Sequence, residues 1–233
     1  LNVTAGELYI GSGGISSLAT HTGLTKNINF SGGTVGATAN WVTAQNINLT
    51  NANGGVTFKA ANAANTGQSI GISGVLSGSG TLRKSGAGTL TLNSTTANSF
   101  SGGTLITSGT LLAATAGSMG LGNINLVSGA FTSQSASAIA DTAILLFAAS
   151  ATPTITLTYT GSDTVGGVSN GTTSLTPGTY TTAQLNSFFG GGAFTGTGSL
   201  TIIPEPASAA LLGLGLVSFC FVRNRKTPKS VIG

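Results

Sequence analysis

The chain has 233 residues, of which 37 are glycine and only 5% are charged, where an ordinary globular protein carries about a quarter. This is too apolar for a disordered chain and too poor in charge for a common enzyme, which leaves stacked β-structure as the class that fits. The net charge of +4 does not mark a nucleic-acid partner: up to Ile203 the cations Lys26, Lys59, Arg83 and Lys84 stand against Glu7, Asp141 and Asp163, a balance of +1, and the rest of the basicity lies in the final residues.

The chain opens on Leu1 and not on Met, so a signal peptide is expected upstream. A strand is predicted at residues 8–10, followed by Gly11-Ser12-Gly13-Gly14. That tetrad lacks the Lys-Ser/Thr ending and the following helix of a phosphate loop, and reads as a turn. His21, the only histidine, lies in a polar stretch and reads as a solvated loop residue. As a catalytic base it would need a nucleophile and an orienting third group. Asn27-Ile28-Asn29-Phe30, Asn46-Ile47-Asn48-Leu49 and Asn123-Ile124-Asn125-Leu126 alternate with period two, which puts the apolar residues on one face and asparagine on the other. The first two copies, beginning at Asn27 and Asn46, stand at a solenoid period of roughly 20 residues. With coils of about 20 residues, roughly nine or ten would stack at about 4.8 Å each. Trp41, the only tryptophan, reads as coil packing, not as a sugar platform.

A second unit recurs as Gly80-Thr81-Leu82, Gly88-Thr89-Leu90, Gly103-Thr104-Leu105, Gly109-Thr110-Leu111 and Gly198-Ser199-Leu200. Glycine supplies the corner, threonine starts the strand and leucine points inward. Residues 73–112, SGVLSGSGTLRKSGAGTLTLNSTTANSFSGGTLITSGTLL, resemble the autotransporter-associated β-strand repeat. The resemblance implies right-handed parallel β-helical coils in an exported surface protein. Ser31-Gly32-Gly33-Thr34 echoes Ser101-Gly102-Gly103-Thr104, which extends a degenerate form of the coil towards the N-terminus. The amphipathic strands of a translocator barrel do not follow, so export through a self-made pore is not implied. Arg83-Lys84, the only basic pair of the body, falls where the repeat carries an outward lysine and reads as solvated charge that keeps sheets from pairing laterally.

Capping coils are predicted at about residues 143–203, with strands at 144–148, 155–159 and 199–203. A short helix is predicted over 181–189 with Thr181 or Thr182 as its N-cap. The stretch from Val165 to Leu200 resembles the last module before a sorting tail in repeat proteins of this type. An open solenoid end exposes unpaired backbone groups. Phe188, Phe189 and Phe194 are expected to plug it; the other reading makes them an exposed docking patch. No catalysis is expected: a glycosidase needs two carboxylates at a set separation, and Glu7, Asp141 and Asp163 leave little to build with. The repeated aspartates of calcium-binding repeats are absent. No cofactor and no metal site is expected, and Cys220, the lone cysteine, reads as a small hydrophobe.

The tail begins with Pro204-Glu205-Pro206. Residues 207–222, ASAALLGLGLVSFCFV, carry no charge, and as a helix they would reach roughly 24 Å, short of the bilayer core of about 30 Å. Pro206 is tolerated in a first helical turn, while Pro204 resists extension upstream. Arg223, Arg225 and Lys226, with Lys229 beyond, act as a cytoplasmic stop and orient the preceding residues outside the cytoplasm. Pro-Glu-Pro, a short apolar helix and a basic cluster together resemble the PEP-CTERM sorting signal of Gram-negative bacteria. The resemblance implies recognition by a membrane exosortase and cleavage near Pro204, Glu205 and Pro206. A plain membrane anchor is the other reading.

The sequence thus predicts an all-β chain, a right-handed parallel β-helix over residues 1–203 followed by a short C-terminal transmembrane helix within a sorting signal at 204–233. The expected function is structural and non-enzymatic: a protein exported by the Sec machinery, held transiently in the inner membrane through 207–222, and released by an exosortase to the cell surface or extracellular matrix. An extracellular polysaccharide is a candidate partner. The alternatives are the stalk of a larger carbohydrate-binding or carbohydrate-active β-helix, or an uncleaved membrane-tethered adhesin.

Overall fold

In the computed structural model, which describes residues 1–16, 26–147 and 153–203, the alternating runs become short strands that stack coil upon coil. The chain visits three sides in cyclic order. A four-stranded side comprises Asn2–Val3, Asn29–Phe30, Ile47–Leu49 and Leu76–Ser77. A long eight-stranded sheet begins at Glu7–Ile10 and ends at Gly167–Ser169, and a seven-stranded sheet runs from Trp41–Thr43 to Phe194–Gly196. All pairings in these three sheets are parallel, as in the register Leu82↔Thr104 and Thr104↔Ile124. The result is a parallel β-solenoid of about seven turns.

Alternation along each strand decides what is inside. In the seven-stranded sheet the register aligns Trp41, Ile70, Leu90, Leu111, Phe131, Ile155 and Phe194 in one interior row, and all are buried. The asparagine-rich motifs behave as expected, with Phe30, Ile47, Leu49, Ile124 and Leu126 buried. Asn2, Asn29 and Asn48 form an outer ladder: Asn29 Nδ2 donates to Asn2 Oδ1 at 3.1 Å and Asn48 Nδ2 to Asn29 Oδ1 at 3.2 Å. The first two copies share the four-stranded side, whereas Ile124–Leu126 belongs to the long sheet. The motif encodes a half-buried strand and not a particular side.

The turns are fewer than the motif spacing alone predicts, because several coils are longer than that spacing. Ser69, Thr89, Thr110 and Ala130 are successive partners, and there each coil does consume roughly 20 residues, as the solenoid period requires. Trp41 pairs with Ile70 and Ile155 with Phe194, both much longer steps along the chain. The long steps hold excursions such as the bridge Ala61↔Gly67 and the helix Thr182–Phe189.

Beyond Ser77 the four-stranded side gives way to irregular backbone, yet coil-to-coil bonds continue. Ser99 N donates to Leu76 O at 2.9 Å and Met119 N to Ala138 O at 3.0 Å. Asparagine side chains close gaps in the ladder. Asn98, buried, accepts from Leu76 N at 2.8 Å and donates to Ser118 O at 2.7 Å. Asn40, Asn46, Asn51 and Asn123 accept in the same manner from Ser69, Val75, Thr81 and Ile144 N–H groups at 2.8 to 3.0 Å. Such bonds matter because a buried backbone group left unpaired costs about as much as a lost hydrogen bond.

The C-terminal coil closes differently. Ser199–Ile202 lies between Ser162–Val165, parallel, and Gly178–Thr181, antiparallel. The helix forms as predicted, with Thr181 as N-cap in a capping box with Gln184, and Gly190 ends it at φ 71°. Thr181→Ala should lower the local stability of this cap by about 1 kcal/mol, read as faster hydrogen exchange of the helix amides with the distant coils unchanged. Phe189 and Phe194 do close the end of the interior, together with Phe147, which the sequence reading did not include. Their rings lie 4.9 and 5.6 Å from that of Phe147. The terminal strand of the long sheet pairs only as far as Leu146↔Ser169, so Phe147 lacks a strand partner there and the two rings cover it. Phe188 is the exception at 48% exposed. Its ring meets only the edge of the cluster, 5.3 Å from that of Phe189.

Candidate functional site

The few reactive side chains of the body are distributed by strand alternation. Glu7, Thr34, Thr57 and Arg83 share one outward row of the long sheet. Lys59, on the neighbouring outward row, donates its Nζ to the Tyr9 hydroxyl at 3.1 Å and stands 5.5 Å from that ring. Gly36 lies between them, and a Cβ there would clash with the tyrosine ring. Trp41 is buried, with its indole N–H donating to Gly36 O at 3.3 Å, so it is packing as expected. Gly11 to Gly14 form a turn closed by Gly14 N donating to Gly11 O at 3.0 Å.

Asp163 is fully buried, with Oδ2 accepting from Ile139 N at 3.2 Å and Oδ1 without a partner. Burial, chiefly, and the Asp141 charge push its carboxyl up to about 6, against the pull of the Ile139 bond and of the nearby Ala138 and Thr164 N–H dipoles. Tyr159 nearby donates its hydroxyl to Ser199 O at 2.9 Å, and burial and the Asp163 charge hold its phenol above the usual range. This acid serves the ladder and faces no cleft. Asp141 is exposed, and Glu7 belongs to the first strand of the long sheet. Among the described residues, no group of three or more His, Cys, Asp or Glu side chains is placed to hold a metal ion.

Lys84 corrects the sequence reading. It is not solvated: it is fully buried, in an interior row between Phe58 and Ile106. Its ammonium donates to Ser85 O at 2.8 Å, Gly86 O at 2.9 Å and Ser108 O at 2.9 Å. Burial lowers its pKa to about 8, so the group is charged at neutral pH. The signal was present in the strand itself, because Leu82 is inward and period two then makes Arg83 outward and Lys84 inward. Arg83 does lie outward.

The Gly-Thr-Leu unit also needs one correction. Leu82, Leu90, Leu111 and Leu200 are buried as predicted, but at Gly103-Thr104-Leu105 the threonine is buried and the leucine is only half-buried. There Thr104 and not Leu105 pairs with Leu82, so the inward positions of this strand fall on Thr104 and Ile106. The Thr104 hydroxyl is left buried without a partner.

His21, Cys220, Pro204, Glu205, Pro206, Arg223, Arg225 and Lys226 lie outside the described residues, as does the helix expected over 207–222. Among the described residues, no helix is long and apolar enough to cross a membrane.

A stack of parallel coils, tied by backbone and asparagine bonds and with its buried charges engaged in the ladder, defines a repeat scaffold. Residues 82–113 match the Passenger-associated-transport-repeat family and residues 203–226 match the PEP-CTERM protein-sorting motif. The chain thus carries one stretch similar to an autotransporter-associated repeat and one similar to the PEP-CTERM sorting motif. No curated protein and no solved structure matches the chain. The sorting motif implies exosortase-dependent sorting and marks the chain for export to the cell envelope or surface.

Proposed function

We propose that this protein is a non-enzymatic structural rod of the cell surface or extracellular matrix. It passes the inner membrane of a Gram-negative cell through the Sec machinery and pauses there on a helix at 207–222, with Arg223, Arg225 and Lys226 on the cytoplasmic side. An exosortase then cuts near Pro204, Glu205 and Pro206 and frees the solenoid. The single observation that carries this reading is the matched sorting motif at 203–226.

The test is fractionation of cells expressing the wild-type chain or a variant with Pro204, Glu205 and Pro206 all changed to alanine. The wild-type body should reach the surface or medium, and the variant should stay with the inner membrane. Equal distribution of the two would refute exosortase sorting through these residues.

A further inference from the structure

Lys84 is a cation built into an otherwise apolar row. At the same register the neighbouring coils carry Val35, Phe58, Ile106, Leu126 and Phe147. The three acceptors belong to two successive coils: Ser85 and Gly86 follow Lys84 directly, and Ser108 lies 24 residues on. An ammonium has three N–H donors and no acceptor, so donors and acceptors match in number. Among the described residues, no backbone N–H donates to Gly86 O or Ser108 O. Without the ammonium, the buried Gly86 O and the half-buried Ser108 O would converge with no donor between them.

Glycine completes the enclosure. A Cβ on Gly109, which has φ +65°, would lie 2.7 Å from Lys84 Nζ and would collide with Gly86 O. No carboxylate is among the cage atoms, and the charged residues on the strands flanking Lys84, Arg83 and Lys59, occupy outward register positions. The site is thus made of carbonyl dipoles alone, the chemistry that coordinates monovalent cations in place of their hydration shell.

We propose that the carbonyls of Ser85, Gly86 and Ser108 form a monovalent-cation site which the chain fills with its own ammonium, and that the junction of these two coils is held by occupation of that site. The repeat lysine is then an internal counterpart of a bound cation. The site would accept an external alkylammonium ion once the lysine side chain is removed.

The experiment uses the full chain carrying Lys84→Ala at neutral pH. The substitution should lower the thermal midpoint by roughly 10 °C. Propylammonium chloride, which restores both stem and ammonium, should recover most of that loss, whereas 1-propanol at matched concentration should not. If 1-propanol rescues as well as propylammonium, only packing was lost and the proposal is overturned. Lys84→Met supplies an independent reading, since it keeps most of the volume and removes the donors. It should be less stable than wild type, and equal or greater stability would contradict the proposal. If Lys84→Ala does not fold, its refolding yield with each additive answers the same question: recovery with propylammonium alone supports the site, and recovery with neither or with both overturns it.

Discussion

Phe131→Ala is expected to cost about 3–5 kcal/mol of stability, the range for deleting a fully buried phenylalanine from a packed core. Phe131 is completely buried, between Leu111 and Ile155 in the interior row of the seven-stranded sheet. In a solenoid each coil touches only its neighbours, so the loss falls on three adjacent coils and is not shared across a common core. Urea unfolding followed by circular dichroism should show a lower midpoint and a broadened or split transition as the two halves of the rod uncouple. Thr132→Ala, one residue along at an outward position of the same strand, should stay within about 0.5 kcal/mol of wild type. Similar losses for both variants would show that the inward and outward assignments are wrong.

Asp163→Asn is expected to stabilise the protein at mildly alkaline pH by on the order of 2 kcal/mol, since one pKa unit corresponds to about 1.4 kcal/mol. Burial raises the folded carboxyl from 3.8 to about 6, so the folded state holds this proton more tightly than the unfolded chain. The associated stability is fully present below the unfolded value of 3.8 and is lost as pH rises through about 6. Asparagine keeps an oxygen for the Ile139 N–H and removes the charge that burial penalises. The charged group acting on Asp163 is the exposed Asp141, and the charge of Asp163 in turn raises the Tyr159 phenol. Thermal midpoints at pH 8 should favour the variant, and the difference should shrink towards pH 4. A variant less stable than wild type at pH 8 would mean that the anion is engaged in bonding and is not merely tolerated.

Much of this architecture is legible in the sequence because a solenoid is local. Period-two alternation alone buries Ile47 and Leu49 and places Asn48 outside, and the strand-helix-strand order of the last coil follows from caps and apolar runs. What is illegible is set by stacking. Whether a strand at 124–126 joins the side of 47–49 depends on how much chain each corner consumes, and glycine-rich corners consume different lengths. The shift at Thr104 is likewise not written in the motif, since Ser31-Gly32-Gly33-Thr34 keeps Thr34 outward and Val35 inward. The coil count failed for the same reason, because Trp41 and Ile70 are partners across a longer stretch of chain than the motif spacing allows.

Lys84 failed on a prior and not on a pattern. The sequence reading takes Arg83 and Lys84 together as one solvated pair at a position where the repeat carries an outward lysine, whereas alternation from Leu82 puts Lys84 inside. A lysine is tolerated there because three carbonyls of a glycine corner converge on it, which no spacing in one dimension reveals. Phe147 was missed for a related reason: its exposure depends on the next strand ending early at Ser169. Asp163, by contrast, reads as an ordinary surface acid in sequence. Only its position over the Ile139 amide makes it part of the ladder.

The most direct measurement is the intact mass of the surface-associated protein, taken from cells with and without a functional exosortase. The account predicts a mature chain ending near Pro204 to Pro206 in the first case and a chain retaining residues up to Gly233 in the second. A full-length tail on the surface protein of both strains would contradict it, and would make the segment a permanent anchor.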